Sequence, residues 1–160
     1  MAITKLIARH LREIYFGDNW TCSNLKDNLK DVTWDQAVTR VHAFNTIATL
    51  IYHTNYYTEA IIKVLDGGPL IADDEFSFNH PYITNQEEWE LLLEKVWRDA
   101  DTLASKVEQL PDEILTQDFA DNKKYTYYRY LNGNIEHLHY HLGQIALIKR
   151  MVQMQVVSEK

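Results

Sequence analysis

Apolar residues recur every three or four positions through most of this 160-residue chain, and long alternating runs of β-branched residues are missing. Such spacing places apolar side chains on one face of an α-helix, whereas alternation places them on one face of a strand. The pattern therefore predicts an all-α protein. A chain of this length can bury a hydrophobic core without disulfides, so we expect one domain over residues 1–160.

The first half of the chain contains two long helical stretches. The first begins with a stripe of Ile3, Leu6, Ile7, His10, Leu11 and Ile14. The segment FGDNW then interrupts the periodicity, so we expect this helix to bend or split. The second helix is predicted from about Thr46 to Leu65, because Asn45 or Thr46 can cap its start and Gly67 can end it.

The second half predicts two further helices. One begins at TNQE, where Thr84 and Glu87 form a possible capping box, and ends before Pro111. The other runs from about Asn134 to Gln155. Residues 66–82 contain two glycines and two prolines, which indicates a long crossover connection. Together these features predict a four-helix bundle with the crossover between its second and third helices, a fold whose core often contains binding sites.

Composition excludes several classes of function. The formal net charge of −7 disfavours a nucleic-acid partner, because phosphate binding requires a clustered basic surface. Cys22 is the only cysteine, so a metal site must use His, Asp or Glu. Lys5, Arg9 and Arg12 interrupt the apolar positions at the start of the chain, which argues against a secretory signal, and no run of about 18 apolar residues predicts a membrane span. We therefore expect a soluble cytoplasmic protein without a membrane partner.

Three histidines alternate in the segment EHLHYHLGQ, residues 136–144. At about 100° per residue, His137 and His141 lie roughly 40° apart, on the side of the helix that carries its apolar residues. His139 lies about 160° to 200° from both and cannot share a ligand with them. Two histidines four residues apart on a helix often bind a metal, although core and surface histidines have the same spacing. From these residues alone, both readings remain open.

A metal site needs a third ligand from another helix. His53 is the best candidate, because it lies near the middle of the second helix at the edge of its apolar stripe. His10 is a competing candidate, for which a packing role is favoured. His42 and His80 lie outside the predicted helices, and we expect both to be exposed.

The segments TIATLIYH and EHLHYHLGQI, the second with the pattern H-x-x-x-H-x-G-Q, resemble the paired signatures of the DinB-like superfamily. The helix order, the long crossover and the chain length agree with this resemblance. It implies a four-helix bundle in which His53, His137 and His141 hold a divalent metal. Zn²⁺ or Ni²⁺ is the preferred ion, with Mn²⁺ or Fe²⁺ as alternatives. The chain departs from the family at Tyr140, where many relatives have a histidine, and His139 is not part of the pattern.

The resemblance also implies a function. Some members are similar to transferases in which the metal binds a low-molecular-weight thiol as a thiolate, which then attacks an electrophilic small molecule. We therefore expect a thiol-dependent S-transferase, with homodimers as in many members of the family. One alternative is a metal-dependent hydrolase, for which the sequence identifies no general base. The other is a non-enzymatic metal-binding stress-response protein. No catalytic residue is assigned.

Further residues are candidates for supporting roles. Gln144, one turn beyond His141, is a candidate hydrogen-bond partner for a ligand, although a packing role explains it equally well. Tyr57 is a candidate pocket residue, although packing or a dimer interface is favoured for most of the tyrosines. The acidic run Asp73–Glu75 offers a base or a second metal site, but a solvated loop is favoured. For Cys22 we expect a packing role.

Overall fold

The chain folds mostly into helices, as the apolar spacing predicts. The computed structural model describes the backbone of residues 2–120 and 122–158, and the side chains of residues 2–120 and 124–154. Its helices are α1 (Ile3–Phe16), α2 (Leu25–Leu29), α3 (Trp34–Val38), α4 (Ile47–Leu65), α5 (Asp74–Ser77), α6 (Gln86–Gln109), a 3₁₀ helix (Asp112–Thr116) and α7 (Tyr127–Ser158). Two short antiparallel strands, β1 (Asp118–Phe119) and β2 (Asn122–Thr126), form a hairpin that the sequence did not predict.

The four long helices pack around a shared apolar core. Helix α1 packs mainly on α6 and also contacts α7, while α4 packs on both α6 and α7. Trp89 of α6 is completely buried, and its indole N–H donates to the main-chain oxygen of Val32, 2.9 Å away. Within the described residues, every helix is either too short or too polar to cross a lipid bilayer.

Local signals account for the start and the end of α4. The Thr46 side chain accepts a hydrogen bond from the Thr49 N–H, which is the predicted cap. After Leu65, Gly67 adopts a positive φ of 85° and its N–H bonds to the Val64 oxygen. The residues from Asp66 onward then form the connection to α6, which contains the short helix α5 packed on α4.

The beginning of the chain is split, but its stripe is only partly buried. Helix α1 ends at Phe16, and α2 begins at Leu25. Ile7, Leu11 and Ile14 face the core, whereas Ile3, Leu6 and His10 are exposed. His10 therefore does not occupy the apolar position that its spacing predicts.

Two predicted helix starts are wrong. Helix α6 is capped by Asn85, whose side chain accepts from the Glu88 N–H, so the predicted box of Thr84 and Glu87 lies one residue too early. Adjacent Thr and Asn are both good caps, and local sequence does not choose between them. Helix α7 begins at Tyr127 rather than Asn134. Tertiary packing supports its first turns, because the Phe119 ring stacks on Tyr130 with centroids 4.2 Å apart.

Asp112 caps α1 from a distant part of the chain. Its carboxylate accepts from the N–H groups of Ile3 and Thr4 at 2.9 and 3.0 Å, and these bonds lower the pKa of Asp112.

We expect Asp112→Ala to lower the unfolding temperature by a few degrees at pH 7. Because its pKa is lowered in the folded protein, Asp112 stabilises the fold at pH values above its ordinary pKa of 3.8. That contribution disappears as the pH falls through the lowered pKa. Thermal unfolding followed by circular dichroism tests this, with Glu113→Ala as the control. Equal losses in both variants would contradict the capping role.

Candidate metal centre

Three imidazoles converge between α4 and α7. His53 comes from α4, and His137 and His141 come from consecutive turns of α7. The Nε2 atom of His137 lies 3.0 Å from Nε2 of His53 and 2.9 Å from Nε2 of His141. The ligand atoms of the three residues all lie within 4.8 Å of one another. The three histidines are therefore close enough to bind a single metal ion.

The helices account for this convergence. His137 and His141 are four residues apart, so both rings project from one side of α7, where Leu138, Leu142 and other apolar side chains are buried. The middle of α4 packs against that side and brings His53 to the pair. His53 and His141 are buried, at 4% and 7% exposure, and His137 is half-buried.

Hydrogen bonds fix the proton positions on two of the rings. His53 Nδ1 lies 2.8 Å from Ser77 Oγ, and the Ser77 hydroxyl donates its single proton to the main-chain oxygen of Asp74. Ser77 Oγ must therefore accept from His53 Nδ1–H. His141 Nδ1 lies 2.7 Å from Gln144 Oε1, which can only accept. In both rings Nε2 thus carries a lone pair, and this is the atom that faces the other imidazoles.

Burial keeps the three imidazoles neutral at pH 7. It lowers the pKa of both His53 and His137 to about 4; the neighbouring imidazoles lower these values further, while Asp74 opposes the shift. Burial also lowers the pKa of His141, against the effect of its hydrogen bond to Gln144. Neutral imidazole is the form that binds metals.

The three imidazoles are better arranged to bind a cation than to hydrogen-bond to one another. His137 Nε2 carries at most one proton when neutral, and this proton cannot satisfy the lone pairs of both His53 and His141. Three Zn–N bonds of about 2.0–2.1 Å at tetrahedral angles separate the nitrogens by about 3.3 Å. The two separations from His137, 2.9 and 3.0 Å, need to widen by only a few tenths of an ångström, and the ligand atoms of His53 and His141 lie within 4.8 Å of each other. The residues therefore fit a divalent ion.

Helix α5 supplies contacts to His53 that sequence reasoning missed. Besides the Ser77 bond, the Phe78 ring that follows α5 stacks on His53, with centroids 4.1 Å apart and planes at 17°. Asp73 begins α5 by accepting from the Glu75 N–H. The acidic run is the sequence signal for α5, since acids favour the first turn of a helix, although its composition alone favours a solvated loop.

Tyr57 and Asp74 lie beside the three histidines. The Tyr57 ring meets His53 and His137 edge-on, with centroids 5.2 Å away in both cases. Its hydroxyl donates to Asp74 Oδ1 at 2.7 Å. Burial and the Asp74 carboxylate raise the pKa of Tyr57 to about 12, so it remains a phenol at neutral pH. Asp74 is exposed, as expected for the acidic run Asp73–Glu75, but it also lines a pocket.

A pocket of about 660 Å³ opens beside His53 and His137. Ala60, Ile61 and Leu70 form part of its apolar wall, and α7 contributes the polar residues Arg129 and Asn134. This volume lies within the range of small-molecule sites, about 300–1,000 Å³. A ligand in the pocket would reach the imidazoles directly.

The remaining histidines lie outside this cluster. His139 is half-buried, and its ring faces exposed His10 at a centroid distance of 5.7 Å. His42 is exposed, as predicted. His80 is half-buried rather than exposed, because its Nε2 lies 3.1 Å from Thr49 Oγ1. Cys22 is exposed, so its predicted packing role is wrong.

Comparison of the chain with protein-family models, with curated proteins and with solved structures gives no match. The geometry of the site is therefore the basis for assigning a function.

Proposed function

We propose that this protein is a divalent-metal-dependent enzyme that transfers a small thiol to an electrophile. One observation carries the proposal: three neutral imidazoles direct their Nε2 atoms toward a common point beside a pocket of small-molecule size. His53, His137 and His141 would hold the ion. Zn²⁺ or Ni²⁺ suits this all-nitrogen donor set, with Mn²⁺ and Fe²⁺ as alternatives.

The fold is part of the proposal. We assign α1, α4, α6 and α7 to the four helices of a DinB-like bundle and residues 66–85 to its crossover connection. The packing of α4 and α1 on both α6 and α7 supports this assignment. The origin of the three histidines, one on α4 and two on α7, also agrees with the family pattern described above.

The chemistry follows from the donor set. A divalent ion on three imidazoles retains room for a further ligand and would lower the pKa of a thiol placed there. Ser77 and Gln144 hold two of the rings in the ligating tautomer. Asp74 is the carboxylate in the described pocket wall and can accept the thiol proton. The sulfur would then form its bond to the electrophile as the leaving group departs with the bonding electrons.

Asp74 also supports a second candidate, metal-dependent hydrolysis. This reaction needs a base that takes a proton from the attacking water, and the sequence alone offered none. In the structure the Asp74 carboxylate lines the pocket together with His53 and His137. Water would then occupy the place of the thiol.

Conjugation assays separate these functions. We expect metal-loaded protein to accelerate the reaction of 1-chloro-2,4-dinitrobenzene with at least one small thiol, and we expect chelation to remove the acceleration. Asp74→Asn should slow the reaction at least tenfold, with Glu75→Gln, an exposed neighbour, as the control. Metal-dependent hydrolysis of a nitrophenyl ester without thiol would favour the hydrolase. Rates equal to those of the metal-free protein in both assays would favour a metal with only a structural role.

Ser77 provides a direct test of ring orientation. Without its hydroxyl, Nδ1 of buried His53 loses the partner that fixes its proton and its ring position. We expect Ser77→Ala to weaken metal binding by about 10- to 100-fold, the usual effect of losing such a partner. Competition with a chromophoric chelator measures the affinity. Ser105→Ala on α6 is the matched control, because Ser105 contacts Arg12 instead. An unchanged affinity in Ser77→Ala would remove Ser77 from the site.

A further inference from the structure

Asn134 is a buried polar side chain that finds no partner in the described part of the chain. It lies on α7 with 5% exposure, and neither Nδ2 nor Oδ1 has a hydrogen-bond partner among the residues that the structure describes. Both atoms are covered from solvent, so bulk water does not compensate for the missing bonds. Buried polar groups in proteins are nearly always hydrogen-bonded, and an unpaired carboxamide lowers the stability of the fold.

The position of Asn134 indicates that this loss of stability is connected with the pocket. Asn134 belongs to the pocket wall together with His137, which follows three residues later on the same side of α7. Leu131 and Leu138, on that side as well, are completely buried. Packing alone therefore favours an apolar residue at position 134. A polar residue at this position is explained if a ligand pairs with it.

We propose that Asn134 is a specificity-determining residue that binds an amide group of the pocket ligand. The proposal rests on the function assigned above, in which the same ligand reaches the ion at the three imidazoles. Both polar atoms are covered in this conformation, so the side chain turns toward the pocket when the ligand binds. Three residues of helix separate Asn134 and His137 by about 4.5 Å along the axis. Because both side chains belong to one side of the helix, the amide of the ligand would lie a few bonds from the atom that binds the metal.

The donors and the acceptor of the Asn134 carboxamide match an amide better than a carboxylate, an ammonium group or a hydroxyl. Asn offers an N–H donor and a carbonyl acceptor side by side, and a primary amide returns one acceptor and one donor with the same spacing. A carboxylate offers acceptors alone and leaves Oδ1 unmatched. An ammonium group offers donors alone and leaves Nδ2 unmatched. A single hydroxyl oxygen cannot meet both atoms with good geometry.

Matched thiols test the recognition. The protein is loaded with Co²⁺, whose thiolate bands report binding, and titrated with 3-mercaptopropanamide, methyl 3-mercaptopropanoate and 1-propanethiol. The ester replaces the NH₂ group of the primary amide by a methoxy oxygen, and propanethiol reports the metal site alone. We expect wild type to prefer the amide over the ester by about tenfold. Asn134→Leu and the smaller Asn134→Ala should both reduce that preference below about twofold. Propanethiol affinity should stay within about twofold.

Asn132→Leu is the matched control for binding. Asn132 lies on the same helix but donates to Glu136 instead. We expect this variant to keep the amide preference. Equal wild-type affinities for amide and ester, with propanethiol still bound, would overturn the role of Asn134 alone. Failure of all three thiols to bind would instead reject the proposed thiol chemistry.

A second measurement tests Asn134 without any metal. Leucine copies the branching of asparagine and has no polar atoms, so Asn134→Leu should raise the unfolding temperature of the metal-free protein. Asn132→Leu makes the same gain in helix propensity but removes the hydrogen bond to Glu136, so it should raise the unfolding temperature less. A lower unfolding temperature for Asn134→Leu would show that the fold itself satisfies the carboxamide. That result overturns the proposal whether or not the thiols bind.

Discussion

Replacing His137 and His141 together by alanine is expected to abolish metal binding. Wild-type protein purified without a histidine tag should contain about one divalent ion per chain, measured by elemental analysis. The double variant retains only His53, and one imidazole does not hold an ion against water. If three ligands share a binding free energy of about 12 kcal/mol, each contributes about 4 kcal/mol, or roughly a thousandfold in affinity. Each single variant should therefore bind far more weakly.

His139 is the control for this experiment. It lies between the two proposed ligands in the sequence, but its ring faces His10 on α1. His139→Ala should keep the full metal content, and circular dichroism should show that all variants remain helical. Unchanged metal in the double variant, or its loss in His139→Ala, would reject the ligand assignment.

The parts of this site that the sequence predicts are those set by interactions between residues close together in the chain. The 3.6-residue period of a helix alone places His137 and His141 on one side of α7 and His139 on another. The Thr46 cap sets the start of α4 in the same local way. The position of His53 is harder to predict, because its approach to the pair depends on contact between α4 and α7, and His53 lies 84 positions from His137 in the sequence. Its proposed role as third ligand rests on its apolar stripe and on a family resemblance.

The features that the sequence does not predict depend on tertiary contacts, which leave no periodic pattern in the sequence. Ser77 and Phe78 reach His53 only because the connection folds back on α4 as helix α5. Asp112 reaches the start of α1 across 108 or more positions of sequence. Helix α7 extends seven residues further toward its start than predicted, because Phe119 of the unpredicted hairpin packs on Tyr130. Propensity at Asn132 and Gly133 argues against that extension, and packing overrides it.

Acidification is expected to destabilise the metal-free protein between pH 7 and pH 5. The pKa of His53 falls from 6.5 to about 4 on folding, chiefly through burial. In this window the unfolded chain binds more protons than the folded chain, so the free energy of unfolding decreases as the pH falls. His53 alone accounts for about 2 kcal/mol between these pH values. His137 acts in the same direction, while Asp74 reduces both shifts.

Urea unfolding in the presence of a chelator at pH 5, 6 and 7 measures this dependence. His53→Gln removes one titrating imidazole and should flatten the slope. His139→Gln is needed beside it, because burial and His10 also lower the pKa of His139. Ordinary carboxyl pKa values of 3.8 and 4.5 lie below the window, which therefore reports mainly on histidines. A free energy of unfolding that is constant or larger at pH 5 would show that the imidazoles do not lie in the buried, neutral cluster on which the proposed metal centre depends.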